Sequence, residues 1–166
     1  MPAGSTYTPI ATTTLGSATN SVTFSSIPST YTDLILIESF QFTSTGSQSR
    51  MSFGDTSTLY SVTTLRGDGS AANSARFTAQ PVIANTPGNT NATANIQVNG
   101  IRHIMNYANT TTFKTVIQRY NDSSEQLTAV VGLWRNTAAI STIVLASLSG
   151  NYASGSTFTL YGIASA

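Results

Sequence analysis

From Thr8 to Ile163 the apolar residues return at every second position or in short runs. No stretch of twelve residues carries a stripe with the 3.6-residue period of a helix. Period two is the signature of strands whose side chains alternate between two faces. It predicts strands over Thr8–Leu15, Ser21–Ile27, Asp33–Thr43, Gln48–Phe53, Leu59–Arg66, Ala75–Ile83, Asn95–Met105, Thr111–Tyr120, Leu127–Arg135, Ile140–Leu148 and Thr157–Ile163. Ala71–Arg76 is the weak exception. It is too short and too rich in Ser and Asn to hold a helix. The intervals carry turn chemistry: Gly16-Ser17, Pro28-Ser29, Gly46, Gly54-Asp55, Gly67-Asp68-Gly69, Pro87-Gly88-Asn89, Asn121-Asp122 and Gly150-Asn151.

Composition reinforces the pattern. Ser, Thr and Asn supply 63 of the 166 residues, whereas only 8% are charged, against about 25% in an ordinary soluble domain. Thr favours strands, and Asn and Ser favour turns. Hydrophobic residues reach 40%, with fifteen aromatics among them, enough for a core at a length of about one domain. The expectation is an all-β chain: one β-sandwich domain over residues 1–166, two-sheeted and jelly-roll-like, with residues 1–12 as an extended N-terminal arm. Leu34, Leu36, Val116, Leu133, Ile143 and Leu160 are predicted to face inward. Leu34-Ile35-Leu36-Ile37 reads as a core strand, being apolar at consecutive positions.

The same composition narrows function. A net charge of +1 with scattered Arg and Lys offers no footprint for nucleic acid. The apolar runs are too short to span a bilayer as helices. The opening MPAGSTYTPI has neither part of a signal peptide, so secretion by that route is not expected. Cysteine is absent, so there is no disulfide framework.

Catalysis finds few candidates. The carboxylates are Asp33, Glu38, Asp55, Asp68, Asp122 and Glu125. A glycosidase needs two that face one another. Asp33 and Glu38 fall on opposite faces of one strand, and Asp122 and Glu125 flank a turn. Turn capping and solubility are the expected roles. His103 is the only histidine, with no cluster that would make it a metal ligand and no nucleophile motif beside it. It reads as an ordinary strand residue. No catalytic, cofactor-binding or metal-binding residue is expected, and no cofactor. Arg66-Gly67-Asp68 spells an adhesion tripeptide but runs into Gly69 and reads as a tight turn. The sequons at Asn91, Asn109 and Asn121 are what chance supplies in such a composition. Tyr107, Tyr120, Trp134, Tyr152 and Tyr161 could stack on sugars, but core burial is the expected fate, especially for Trp134 in Val130-Val131-Gly132-Leu133-Trp134.

Three stretches together resemble a family. They are FSSIPSTYTDLILI (Phe24–Ile37), IRHIMNYANTTTFKTVI (Ile101–Ile117) and GLWRNTAAISTIVLASLSGNYASGSTFTLYGIA (Gly132–Ala164). They are similar to small virion structural proteins of tailed bacteriophages, often those infecting cyanobacteria and other aquatic bacteria. The motifs are strands and turns, so the resemblance implies a fold and a virion role rather than catalytic residues. It implies a capsid decoration (cement) protein: a homo-oligomer, a trimer as first choice, clamping the major capsid protein and assembled in the host cytoplasm. The shortness of the chain and the lack of repeats or a coiled-coil stem favour this over a fibre. The alternative is a tail-associated or receptor-binding module that recognises host surface glycan, with tail proteins as partners. Neither role calls for nucleic acid or a membrane. Between Thr43 and Gln97 the resemblance lapses, and that part is expected to face outward.

Overall fold

A computed structural model describes residues 6–55, 57–86, 92–122 and 126–164. Among these, twelve strands and no helix are found. They are β1 (Tyr7–Thr14), β2 (Ser21–Phe24), β3 (Asp33–Phe40), β4 (Ser49–Ser52), β5 (Tyr60–Gly67), β6 (Ala72–Gln80), β7 (Ile83–Ala84), β8 (Val98–Met105), β9 (Lys114–Asp122), β10 (Leu127–Trp134), β11 (Ile143–Ser147) and β12 (Thr157–Ile163). Eight make one sheet in the order β1-β12-β3-β8-β9-β10-β5-β6, and four make a second, β2-β11-β4-β7. Every pair of strands is antiparallel. The sandwich expected from the period-two pattern is what the chain forms.

The strand positions differ from the expected ones in instructive ways. Ala75–Ile83 divides into β6 and the two-residue β7, which belong to different sheets. The weak helical stretch Ala71–Arg76 lies mostly within β6, because pairing with β5 supplies hydrogen bonds that an isolated turn lacks. The expected N-terminal arm is a strand from Tyr7 onward, paired with β12. The turn at Pro87-Gly88-Asn89 and the position of Glu125 fall outside the described residues.

Parity decides which residues enter the core. Leu34, Leu36, Val116, Ile143 and Leu160 are buried as expected. Leu133 is only half-buried and lies on the outward face. Either parity of the run Val130–Trp134 would bury apolar side chains. The larger payload of Trp134 sends the even positions inward, together with Gly132, against which Ile83 of the second sheet packs. Two aromatic groups anchor this interior. Phe40, Phe42, Tyr152 and Phe158 have ring centroids 5.1–5.9 Å apart. Phe53, Tyr60 and Trp134 form the other group.

A buried ion pair sits between the sheets. Arg102 on β8 donates from Nε to Glu38 Oε2 on β3 at 2.9 Å, with both side chains excluded from solvent. Its Nη2 donates to Ser49 Oγ at 2.8 Å and to Ser49 O at 3.3 Å, and its Nη1 to Ile83 O at 3.3 Å. Ser49 and Ile83 belong to β4 and β7, so one guanidinium ties the small sheet to the large one. The Tyr120 hydroxyl also donates to Glu38. Its ring crosses Gly100, where an added Cβ would lie 2.0 Å from the ring, so the position admits only glycine. Burial outweighs the attraction of Arg102 and holds the Glu38 carboxyl above its usual range. The expectation that this carboxylate serves solubility is thereby corrected, since Glu38 is a core residue.

Asp68 shapes the hairpin between β5 and β6. Its Oδ1 accepts from Ser70 N at 3.0 Å, Ser70 Oγ at 2.8 Å and Ala71 N at 2.8 Å, while Gly69 takes φ +82°. Arg66-Gly67-Asp68 is thus a strand end and a tight turn, as expected. The amide donors hold the exposed carboxyl at about 2.

Two predictions follow from these two carboxylates. Glu38→Gln leaves Arg102 buried without its countercharge and lowers unfolding free energy by about 3–5 kcal/mol. Combining it with Arg102→Met restores part of that loss, as read from denaturant midpoints. For Asp68, the folded hairpin favours the charged form. Its stabilising effect is complete above the unfolded value of 3.8 and is lost as pH falls through about 2. Amide exchange at Ser70 and Ala71 is therefore expected to accelerate across that window in the wild type. In Asp68→Ala it is expected to be fast throughout.

Candidate functional site

Among the described residues, the carboxylates and the histidine are dispersed and hydrogen-bonded within the fold. Asp55 accepts from Ser57 Oγ at 2.7 Å, from the Tyr60 hydroxyl and from Trp134 Nε1 at 3.0 Å, so it braces a loop against the second aromatic group. Asp33 and Glu38 do fall on opposite faces of β3. The side chain of Asp122 lies outside what is described. Among the described residues no group of three His, Cys, Asp or Glu stands together.

His103 has a partner that sequence reasoning missed. Its Nε2 lies 2.7 Å from Asp33 Oδ2, and Asp33 Oδ1 accepts the backbone N–H of Asn106, which has φ +50°. Seventy residues separate the two, and the antiparallel pairing of β3 with β8 brings them together. No serine hydroxyl bonds to the imidazole among the described residues. The pair therefore reads as a clasp over the turn after β8 rather than two-thirds of a hydrolytic triad.

The aromatics proposed as sugar platforms are mostly interior. Tyr107, Tyr120, Trp134 and Tyr152 are buried, and only Tyr161 reaches the surface, edge-on to Tyr7. Asn109 accepts from the amides of Thr111 and Thr112, so this sequon is a turn. Asn91 and Ser123, which belong to the other two, lie outside the described residues.

What the fold does assemble is a surface. The odd positions of β3 and their cross-strand partners point away from the small sheet. One row runs Ile37, Ile101, Arg119, Ala129 and Leu65 across β3-β8-β9-β10-β5. The next runs Ile35, His103, Ile117, Val131 and Thr63, and ends at Arg76 on β6. Ile37, Ile117, Val131, Leu65 and, in a third row, Leu127 are between 40% and 59% exposed. Directly opposed side chains across a ladder stand about 4.5–5.5 Å apart, so these residues form one continuous patch. A shallow groove lined by Thr63, Leu65, Ile117, Arg119, Ala129 and Val131 crosses it.

Single exposed apolar residues are ordinary, but a contiguous apolar face marks an interface. The sheet edges are poorer candidates. β1 carries Pro9 and a bulge beside it. β6 carries Arg76, a register shift, and Ala79 with φ +52°. Such features discourage strand addition.

No family model and no curated protein matches the chain. Among solved structures, a crystal structure of xylan β-1,4-xylosidase from Bacillus halodurans C-125 overlays with a TM-score of 0.35 at 8% identity. The overlay covers 81% of this chain and spans 28% of that protein. At that TM-score the likeness carries no argument about this chain.

Proposed function

We propose that this protein is a non-enzymatic structural component of a bacteriophage virion, a capsid decoration (cement) protein that stabilises the shell. The observation that carries the reading is the apolar outward face of the eight-stranded sheet. Five large aliphatic side chains from four strands are left in water there, on a chain with very few charges. A surface of this kind is built for burial against another protein. Its tightest polar groups are spent inside the fold, as at Glu38, Arg102 and Asp55, rather than converging on a substrate. The setting in a virion comes from the resemblance of Phe24–Ile37, Ile101–Ile117 and Gly132–Ala164 to phage structural proteins. A glycan-reading tail module draws less support, because four of the five aromatics that would serve it are buried.

On a chain with only 8% charged residues, attachment to the shell rests on apolar area, at about 25 cal/mol per Å², and on directed hydrogen bonds rather than on ion pairs. Exposed ion pairs contribute only about 0–1 kcal/mol each and are weakened by salt. Particles carrying the protein are therefore expected to retain it through a wash in about 1 M NaCl, where the screening length is about 3 Å. They are also expected to release their genome at a higher temperature than particles lacking it. Quantitative proteomics should find it at copy numbers of the order of the capsid subunit. Loss in salt, an unchanged release temperature, or a few copies at one vertex would each overturn the reading.

A further inference from the structure

We propose that the outward face of the eight-stranded sheet is closed by the same face of a second copy, about a twofold axis running parallel to the strands between β9 and β10. The inference rests on reading that face as an assembly surface, adds what occupies it, and puts a dimer in place of the trimer that the resemblance implies.

Area supports a second copy. The part of the face that this axis pairs spans six strands from β3 to β6. At about 4.8 Å per strand and about 3.4 Å per residue over roughly six residues, it covers about 600 Å². Stable interfaces begin at about 600 Å² from each partner. Sheets also stack in this way inside sandwich proteins, with aligned strands and interdigitated side chains.

Register selects the axis. An axis between β9 and β10 exchanges β9 with β10, β8 with β5 and β3 with β6. Rows are preserved by this rotation. Ile117 of one copy then meets Val131 of the other, and Ile101 meets Leu65, so apolar groups cover apolar groups. Arg119 lies over Ala129, whose small side chain leaves the guanidinium a path toward the exposed Asn99 and Asn121 at the rim. Arg76 forms no ion pair among the described residues. It comes over β3 of the other copy, where Asp33 stands on the same face two residues from Ile35. The competing twofold axis, across the strands between the two rows, would set Arg119 on Ile117 and His103 on Ile101. It would bring no carboxylate to either arginine.

The test uses the whole chain. Sedimentation equilibrium of the wild type is expected to show a dimer. Val131→Glu is expected to give a monomer with an unchanged circular dichroism spectrum. Ile117→Lys is likewise expected to give a monomer, and an equimolar mixture of Ile117→Lys with Val131→Glu is expected to recover a heterodimer, because the new charges then face one another across the seam. A wild-type monomer, a trimer, a dimer indifferent to Val131→Glu, or a mixture that stays monomeric would overturn the pairing. Should Val131→Glu fail to fold, sedimentation of the wild type and of Ile117→Lys decides. A protein that is monomeric in solution yet present over the shell would sink the pairing and leave the virion role standing. A dimer absent from particles would do the reverse.

Discussion

One guanidinium holds the two sheets in register. Arg102 leaves β8, binds Glu38 on the neighbouring strand, and uses its remaining donors on Ser49 and Ile83 of the opposite sheet. Desolvating two charges costs several kcal/mol per ion, which only near-complete hydrogen bonding offsets. The surroundings supply it. Tyr120 bonds to Glu38, Tyr152 donates to Ser49 Oγ, and Asn85 and Ser49 exchange bonds through a side chain and a backbone amide. Because β4 and β7 are only four and two residues long, apolar contact alone would let them slide. A directional charge with fixed partners on both strands removes that freedom. Gly100 is part of the same device, since only a missing Cβ lets the Tyr120 ring cross to its acceptor.

Much of this architecture was legible in the chain, and the reasons are specific. Strand content followed from alternation, and β12 was placed to the residue because Thr157–Ile163 alternates cleanly between buried and half-buried positions. Leu133 was misplaced because Val130–Trp134 is apolar at nearly every position, so the pattern held no phase information. The volume of Trp134 decided the parity, and volume acts only once the opposing sheet exists. The β6–β7 division was hidden for a related reason. Nothing in Gln80–Ile83 says that the chain leaves one sheet and joins the other.

The outward face was not legible at all. Its members Ile37, Ile101, Ile117, Val131 and Leu65 come from five strands, and each looks like half of an ordinary amphipathic pattern. They become one surface only through the register of four separate ladders. The Asp33–His103 clasp was invisible for the same cause. What the composition did show was the other side of the matter. With 8% charged residues, the chain has few side chains with which to solvate an outer sheet face.

That shortage explains how the surface is divided. An eight-stranded sheet covered by four strands has two overhanging edges and one uncovered face, and each is a potential contact. Growth by strand addition at an edge is open-ended, since every added strand presents a new edge. The chain blunts both edges, with Pro9 and a bulge on β1 and with Arg76 and a distorted Ala79 on β6. Within the face the guards are few: Arg119, placed opposite the smallest side chain of its row, and His103, held by Asp33. Contact through a face buries it and stops, so it gives a closed assembly of defined size. Blunted edges beside a thinly guarded apolar face direct association along the one route that terminates.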